Sequence, residues 1–158
     1  MILALTLPFY SGYDNYNHTV SILLYKMLKN RREVMTDKPR KILILDDEES
    51  IRKSIAAFME DEGLVVFEAG STEEALPILK EADIFGAVVD IRLPGKDGNV
   101  FMTEARKINP DIRLIVNTGS TDYIPPDEVK KLGISSKNVF IKPADLNQLK
   151  NVLMSSEL

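Results

Sequence analysis

From residue 41 onward, short runs of aliphatic and β-branched residues alternate with longer segments whose apolar positions recur every three or four residues. The runs are Ile42–Leu45, Leu64–Phe67, Ile84–Val89, Ile112–Val116 and Val139–Ile141. None alternates strictly between apolar and polar residues, so they predict strands covered on both faces, as in a parallel sheet. Between them, Ser50–Glu62 sets Ile51, Ile55, Phe58 and Met59 on one helical face, and Gly63 is placed to end that helix. Ser71 with Glu74 is a capping-box signature for the next helix, where Pro77 predicts a kink or an early start. Val100, Phe101, Ala105 and Ile108 mark a helix over Asp97–Asn109 that stops before Pro110. Pro125 and Pro126 predict a short helix through about Leu132, closed by Gly133, and Asp145 caps a last helix. Five strand–helix units in this order predict an α/β fold, a doubly wound parallel sheet with right-handed crossovers.

Residues 1–37 are different material. Their opening apolar stretch, Met1–Pro8, is far shorter than the roughly 18 residues a membrane helix requires and has no basic residues before it. From Thr19, the spacing of Val20, Leu23, Leu24, Met27 and Leu28 suits one amphipathic helix that turns basic at Lys26, Lys29, Arg31 and Arg32. The expectation is an N-terminal extension, weakly ordered or one amphipathic helix, ahead of a domain over residues 38–158. Met35, just before the first strand, is a plausible alternative start, and no output domain is expected after the fifth helix.

Composition narrows the chemistry. With no cysteine and a single histidine, His18, disulfides, thiol catalysis and Cys/His metal clusters are excluded. The net charge of −4 hides a split: residues 1–40 hold six Lys/Arg against three Asp/Glu, and residues 41–158 hold 14 against 21. An acidic domain argues against direct nucleic-acid binding.

In open α/β sheets, ligands bind beyond the carboxyl ends of the strands. Strand 1 ends in Asp46-Asp47-Glu48-Glu49, strand 3 in Asp90, strand 4 in Asn117-Thr118-Gly119-Ser120 and strand 5 in Lys142-Pro143. Crowded carboxylates repel unless a cation neutralises them, and Mg²⁺ suits such an all-oxygen set. Lys142 adds a charge able to meet a carboxylate or a phosphate, and Thr118 adds a hydrogen-bond donor. Each piece alone has a plainer reading as a helix cap, a turn or a solvated lysine. Their joint placement at equivalent strand ends favours a site.

The segments 42–49 (ILILDDEE), 88–98 (VVDIRLPGKDG), 117–119 (NTG) and 141–143 (IKP) resemble those of bacterial response-regulator receiver domains, the likeness extending over residues 38–154. The acidic pair lies 44 residues before Asp90, and the lysine 52 after it. The resemblance implies a flavodoxin-like sheet with strand order 2-1-3-4-5. It implies that Asp90 accepts a phosphoryl group from a sensor histidine kinase or a phosphotransfer protein. Asp46, Asp47, Asp90 and the backbone carbonyl of Arg92 would hold Mg²⁺, with Asp46 acting mainly through a water. Lys142, preceding a cis peptide bond to Pro143, would contact the phosphoryl group. Thr118 would move to bond it, and Arg92 and Ser120 would tune dephosphorylation.

The resemblance further implies a cytoplasmic switch that binds a downstream protein as a monomer or phosphorylation-dependent dimer, without turnover of an external substrate. Two alternatives are a phosphorylation-independent interaction module and, less favoured, a Mg²⁺-dependent phosphohydrolase. The first draws on Val139, which stands where the family's aromatic switch residue is usual, Phe140 being expected on the opposite side of its strand. The second would want an acid/base residue two positions after its nucleophile, whereas Asp46 is followed by Asp47-Glu48 and Asp90 by Ile91-Arg92. The stretch between Gly119 and Asn138 also departs from the family: Pro125-Pro126 shortens its helix, and Gly133 lies nine residues before Lys142.

Overall fold

A computed structural model describes residues 38–155; the expectations for the N-terminal extension lie outside the described residues. The elements run β1 (Lys41–Leu45), α1 (Glu49–Asp61), β2 (Val65–Ala69), α2 (Thr72–Glu81), β3 (Ile84–Val89), α3 (Gly98–Ile108), β4 (Arg113–Thr118), α4 (Asp127–Lys130), a 3-10 turn (Ser136–Asn138), β5 (Val139–Ile141) and α5 (Leu146–Met154). The strands form one parallel sheet in the order β2-β1-β3-β4-β5.

Alternation along each strand sorts its side chains to two faces. Leu43, Leu45, Ala87, Val89, Leu114 and Val116 pack with Leu79 of α2, Phe101 and Met102 of α3 and Val129 of α4. Ile42, Ile44, Val88 and Ile115 pack with Ile55 and Met59 of α1 and Leu149 and Leu153 of α5. Every one of these side chains is buried, which is why the central strands read as unbroken apolar runs. The edge strands depart from that pattern: Val65 of β2 and Ile141 of β5 are exposed, because each edge has a neighbour on one side only.

Several boundaries differ from the sequence expectation for identifiable reasons. Leu64 lies in the turn just beyond α1, where its N–H bonds the Met59 carbonyl and Gly63 takes φ +81°, so β2 begins at Val65. β4 continues to Thr118 because its last residues pair with β5, Thr118 opposite Ile141. α2 starts at Thr72, and Pro77, where a kink or an early start was expected, lies inside the continuous helix. Its cap is only half the expected box. Ser71 Oγ accepts from Glu74 N at 3.3 Å, while the Glu74 carboxylate accepts from Gly70 N at 2.8 Å. α4 is a four-residue helix that ends before Leu132. The long spacing from Gly133 to Lys142 is filled by the 3-10 turn, closed by Ser135 and the buried Asn138. No described helix is long and apolar enough to cross a membrane.

Candidate functional site

Three strands bring the site together at their carboxyl ends. Asp46 follows β1 and its N–H bonds the Ala69 carbonyl of β2 at 3.1 Å; Asp90 follows β3 and bonds the Leu45 carbonyl at 2.8 Å. The ladder thus continues one residue past each strand and fixes both aspartates side by side. They are 2% and 4% exposed, so their carboxylates must find partners within the protein. Lys142, just beyond β5, supplies one. Its Nζ lies 2.8 Å from Asp46 Oδ2, 2.7 Å from Asp90 Oδ2 and 3.4 Å from Glu48 Oε1. The lysine is placed by its N–H bond to the Thr118 carbonyl at 2.9 Å, and its peptide bond to Pro143 is cis.

The remaining carboxylate oxygens meet backbone donors. Asp46 Oδ1 accepts from Glu48 N at 3.0 Å, and Asp90 Oδ1 accepts from Arg92 N at 3.2 Å. Arg52 of α1 closes one side, donating to the Asp46 carbonyl at 2.7 Å and pairing with Glu68 at 3.2 Å. Thr118 is fully buried, and its Oγ1 accepts from Ser120 N at 3.2 Å.

One ammonium faces two buried carboxylates, and the charges do not balance. Burial pushes Asp46 above the ordinary aspartate range, more than the Lys142 hydrogen bond lowers it. For Lys142, burial disfavours the ammonium, but the hydrogen bonds from its Nζ to Asp46 and Asp90 outweigh it and hold the lysine above its usual value. Asp46, Glu48 and Asp90 each offer an oxygen, all within 4.8 Å of one another. This excess of negative oxygen donors fits a hard divalent cation such as Mg²⁺.

Of the residues predicted from sequence, Asp46, Asp90 and Lys142 come into direct contact. Thr118 stands at the end of the neighbouring strand. Asp47 is exposed and lies outside the close acidic group, which Glu48 joins instead; Arg92 is exposed, with its N–H on Asp90. Val139 packs toward the α2–α4 face and Phe140 toward the α1–α5 face, as strand alternation requires. The sequence reading assigned nothing to Arg52, Gly98 or Tyr123. Gly98 sits so close to Asp90 that a Cβ there would stand 2.2 Å from the Asp90 carbonyl oxygen. Tyr123 packs against the same core as Val139 and donates from its hydroxyl to Asn99 Oδ1 at 2.7 Å. Burial, then the charge of Asp97, pushes its phenol up to about 12.

The loop after β3 is held from several sides. Leu93 N and Gly98 N both bond the Ile91 carbonyl, Gly95 takes φ +77°, and Thr72 Oγ1 of α2 bonds the Lys96 carbonyl at 2.9 Å. Asp97 then caps α3 by accepting from Val100 N at 3.0 Å.

Known proteins are similar to this chain in sequence and in fold. The transcriptional regulatory protein AruR of Pseudomonas aeruginosa is 32% identical over 114 residues, covering 69% of this chain and 46% of AruR. A response regulator protein from Burkholderia pseudomallei, solved with a phosphorylated aspartic acid, calcium ion and citrate, superposes with a TM-score of 0.66 at 25% identity, covering 73% of this chain and 67% of that one. The response regulator protein TrrA of Thermotoga maritima, solved in complex with Mg(2+)-BeF, gives 0.62 at 26% identity, covering 71% and 94%. The chain spans about half the length of several curated relatives it matches. Residues 42–154 match the response regulator receiver domain family. With that match, a five-stranded parallel sheet in the order 2-1-3-4-5 and an acidic pocket at its carboxyl edge, this chain belongs to the response regulator receiver domains of two-component systems.

Proposed function

We propose that Asp90 is the phosphoacceptor of a cytoplasmic two-component relay, within a receiver unit spanning residues 38–158, and that its phosphorylation switches binding to a downstream protein. The observation that carries this reading is the Lys142 ammonium held 2.7 Å from Asp90 Oδ2 and 2.8 Å from Asp46 Oδ2 in a buried pocket. The structures solved with a phosphorylated aspartate and with Mg(2+)-BeF in similar domains support it.

In the proposed reaction, an Asp90 carboxylate oxygen attacks phosphorus and the donor's phosphorus–nitrogen bond breaks. The histidine imidazole leaves and takes up a proton, and water later hydrolyses the acyl phosphate to carboxylate and inorganic phosphate. Lys142 is placed to exchange a carboxylate contact for a phosphoryl oxygen, and Arg92 N–H holds the other Asp90 oxygen in position. Thr118 would donate its hydroxyl to the phosphoryl group. Asp46, Asp47 and Asp90 with the Arg92 carbonyl would hold Mg²⁺, and Glu48 is close enough to join them. When bound, the ion supplies positive charge that stabilises the phosphoryl oxygens during transfer.

A sensor histidine kinase or a histidine phosphotransfer protein is the proposed donor. The test is incubation with a small-molecule phosphodonor and Mg²⁺, followed by mass spectrometry for an acid-stable, hydroxylamine-labile phosphate. Labelling is expected in the wild type and lost in Asp90→Asn; unchanged labelling in Asp90→Asn overturns the assignment. Multiple turnover on a simple phosphate ester would indicate a hydrolase instead.

A further inference from the structure

Tyr123 is the aromatic residue of the β4–α4 loop, and phosphoryl transfer at Asp90 leaves it without a task. Its ring packs against the core on the α2–α4 face of the sheet. Its hydroxyl crosses to α3 and donates to Asn99 Oδ1 at 2.7 Å, a bond between residues 24 apart in sequence. Asn99 lies in the first turn of α3, where its carbonyl accepts from Thr103 Oγ1 at 3.0 Å. The acceptor is therefore carried by a helix, and the donor by a loop.

Both ends of this bond lead back to the phosphoacceptor within a few residues. On the helix side, Gly98 precedes Asn99 and lies directly against the Asp90 backbone. On the loop side, Tyr123 N–H bonds the Ser120 carbonyl at 3.2 Å, and Ser120 N–H bonds Thr118 Oγ1 at 3.2 Å. Thr118 ends β4, the strand beside the one that leads to Asp90. A Thr118 hydroxyl that moves to a phosphoryl group on Asp90 takes its oxygen away from Ser120 N–H. The turn from Ser120 to Tyr123 then loses its anchor on β4, while Asn99 stays with α3. The Tyr123–Asn99 bond is what resists the turn's departure, and Ile124, 75% exposed, follows directly after it.

We propose that the Tyr123–Asn99 hydrogen bond is a latch that holds the β4–α4 loop in its unphosphorylated arrangement and opens when Asp90 is phosphorylated, freeing the turn that leads to Ile124. The inference rests on the phosphoacceptor reading and adds to it a positioning residue that opposes the switch. A bond made in one state and broken in the other biases the equilibrium by its own contribution, so its removal favours the phosphorylated state.

Beryllofluoride with Mg²⁺, in which a tetrahedral fluoroberyllate on a carboxylate oxygen stands in for the phosphoryl group, serves as the probe. The full chain is titrated with it and followed by amide correlation NMR. In the wild type, binding is expected to move the Asn99, Ser120, Tyr123 and Ile124 resonances. Tyr123→Phe keeps the ring and removes only the hydroxyl, and it is expected to bind the mimic about fivefold more tightly, the worth of one hydrogen bond. Asn99→Ala is expected to do the same, and the double variant to gain no more than either single one, because all three lose the same bond. A merely structural role for Tyr123 would leave the affinity unchanged or weaken it, and either result overturns the latch. So do gains that multiply in the double variant, or loop resonances that stay still when the mimic binds. A wild type that binds no mimic overturns the phosphoacceptor reading and the latch with it. Wild-type binding that is lost in Asp90→Asn but unaltered in Tyr123→Phe overturns the latch alone.

Discussion

Replacing Gly98 by alanine sets two effects of opposite sign against each other. At the first position of α3, alanine is the better helix former, by at most about 1 kcal/mol. Against this, the new methyl carbon would stand 2.2 Å from the Asp90 carbonyl oxygen and 3.0 Å from Ile91 Cα. Both neighbours are backbone, so no side chain can swing aside. Ordinary carbon contacts lie near 3.5 Å, so the helix start and the loop after β3 must part by roughly 1 Å. Overpacking of this kind costs about 1–3 kcal/mol, and the Gly98 N–H bond to the Ile91 carbonyl, worth about 1 kcal/mol, is strained with it. The net expectation is a loss of about 2–3 kcal/mol, read from urea denaturation followed by circular dichroism. Gly119→Ala is the control: nothing lies within 4 Å of a Cβ there, so its stability should stay within about 0.5 kcal/mol of wild type. Because the clash falls on the backbone of Asp90, Gly98→Ala should also slow phosphoryl uptake from a small phosphodonor more than Gly119→Ala does. Gly98→Ala as stable as wild type, or more so, would refute the close approach.

Lys142→Met leaves two buried carboxylates without their ammonium, and a loss of about 3–5 kcal/mol is expected in metal-free buffer. Adding Asp46→Asn to that variant should restore part of the loss; a double-mutant cycle with coupling near zero would count against the bridge. For Tyr123, the folded phenol lies at about 12 against an ordinary value of 10.0, so the fold favours the protonated form. Its contribution is whole below pH 10 and lost as pH rises toward 12. A spectrophotometric titration of wild type minus Tyr123→Phe should show a phenol ionising near 12, and a difference curve centred at 10 would contradict the buried hydroxyl. Ser71→Ala removes the side-chain acceptor at the start of α2 and should cost about 1 kcal/mol in the same urea assay; no loss would show that the Glu74–Gly70 bond alone holds that helix end.

Periodicity and punctuation were enough to read five strand–helix units, because apolar runs buried on both faces and helices ended by Gly63, Pro110 and Gly133 follow from local physics. The identities of Asp46, Asp90, Thr118 and Lys142 were legible for a related reason: a parallel sheet places all strand carboxyl ends on one edge, so residues far apart in sequence acquire a common address. Local rules fail where a contact is long-range. That β4 extends to Thr118 depends on pairing with β5. The side-chain arrangement of the site likewise came from tertiary structure alone. Lys142 takes two carboxylates at once because the ladders from β1 and β3 both run one residue past the strand, and Glu48 turns toward them while Asp47 faces solvent. Gly98 beside Asp90 and Tyr123 on Asn99 are invisible in any local pattern, since each is defined by what another segment places against it. The sequence by itself determined the elements, their order and the edge where chemistry gathers; packing decided which atoms there touch.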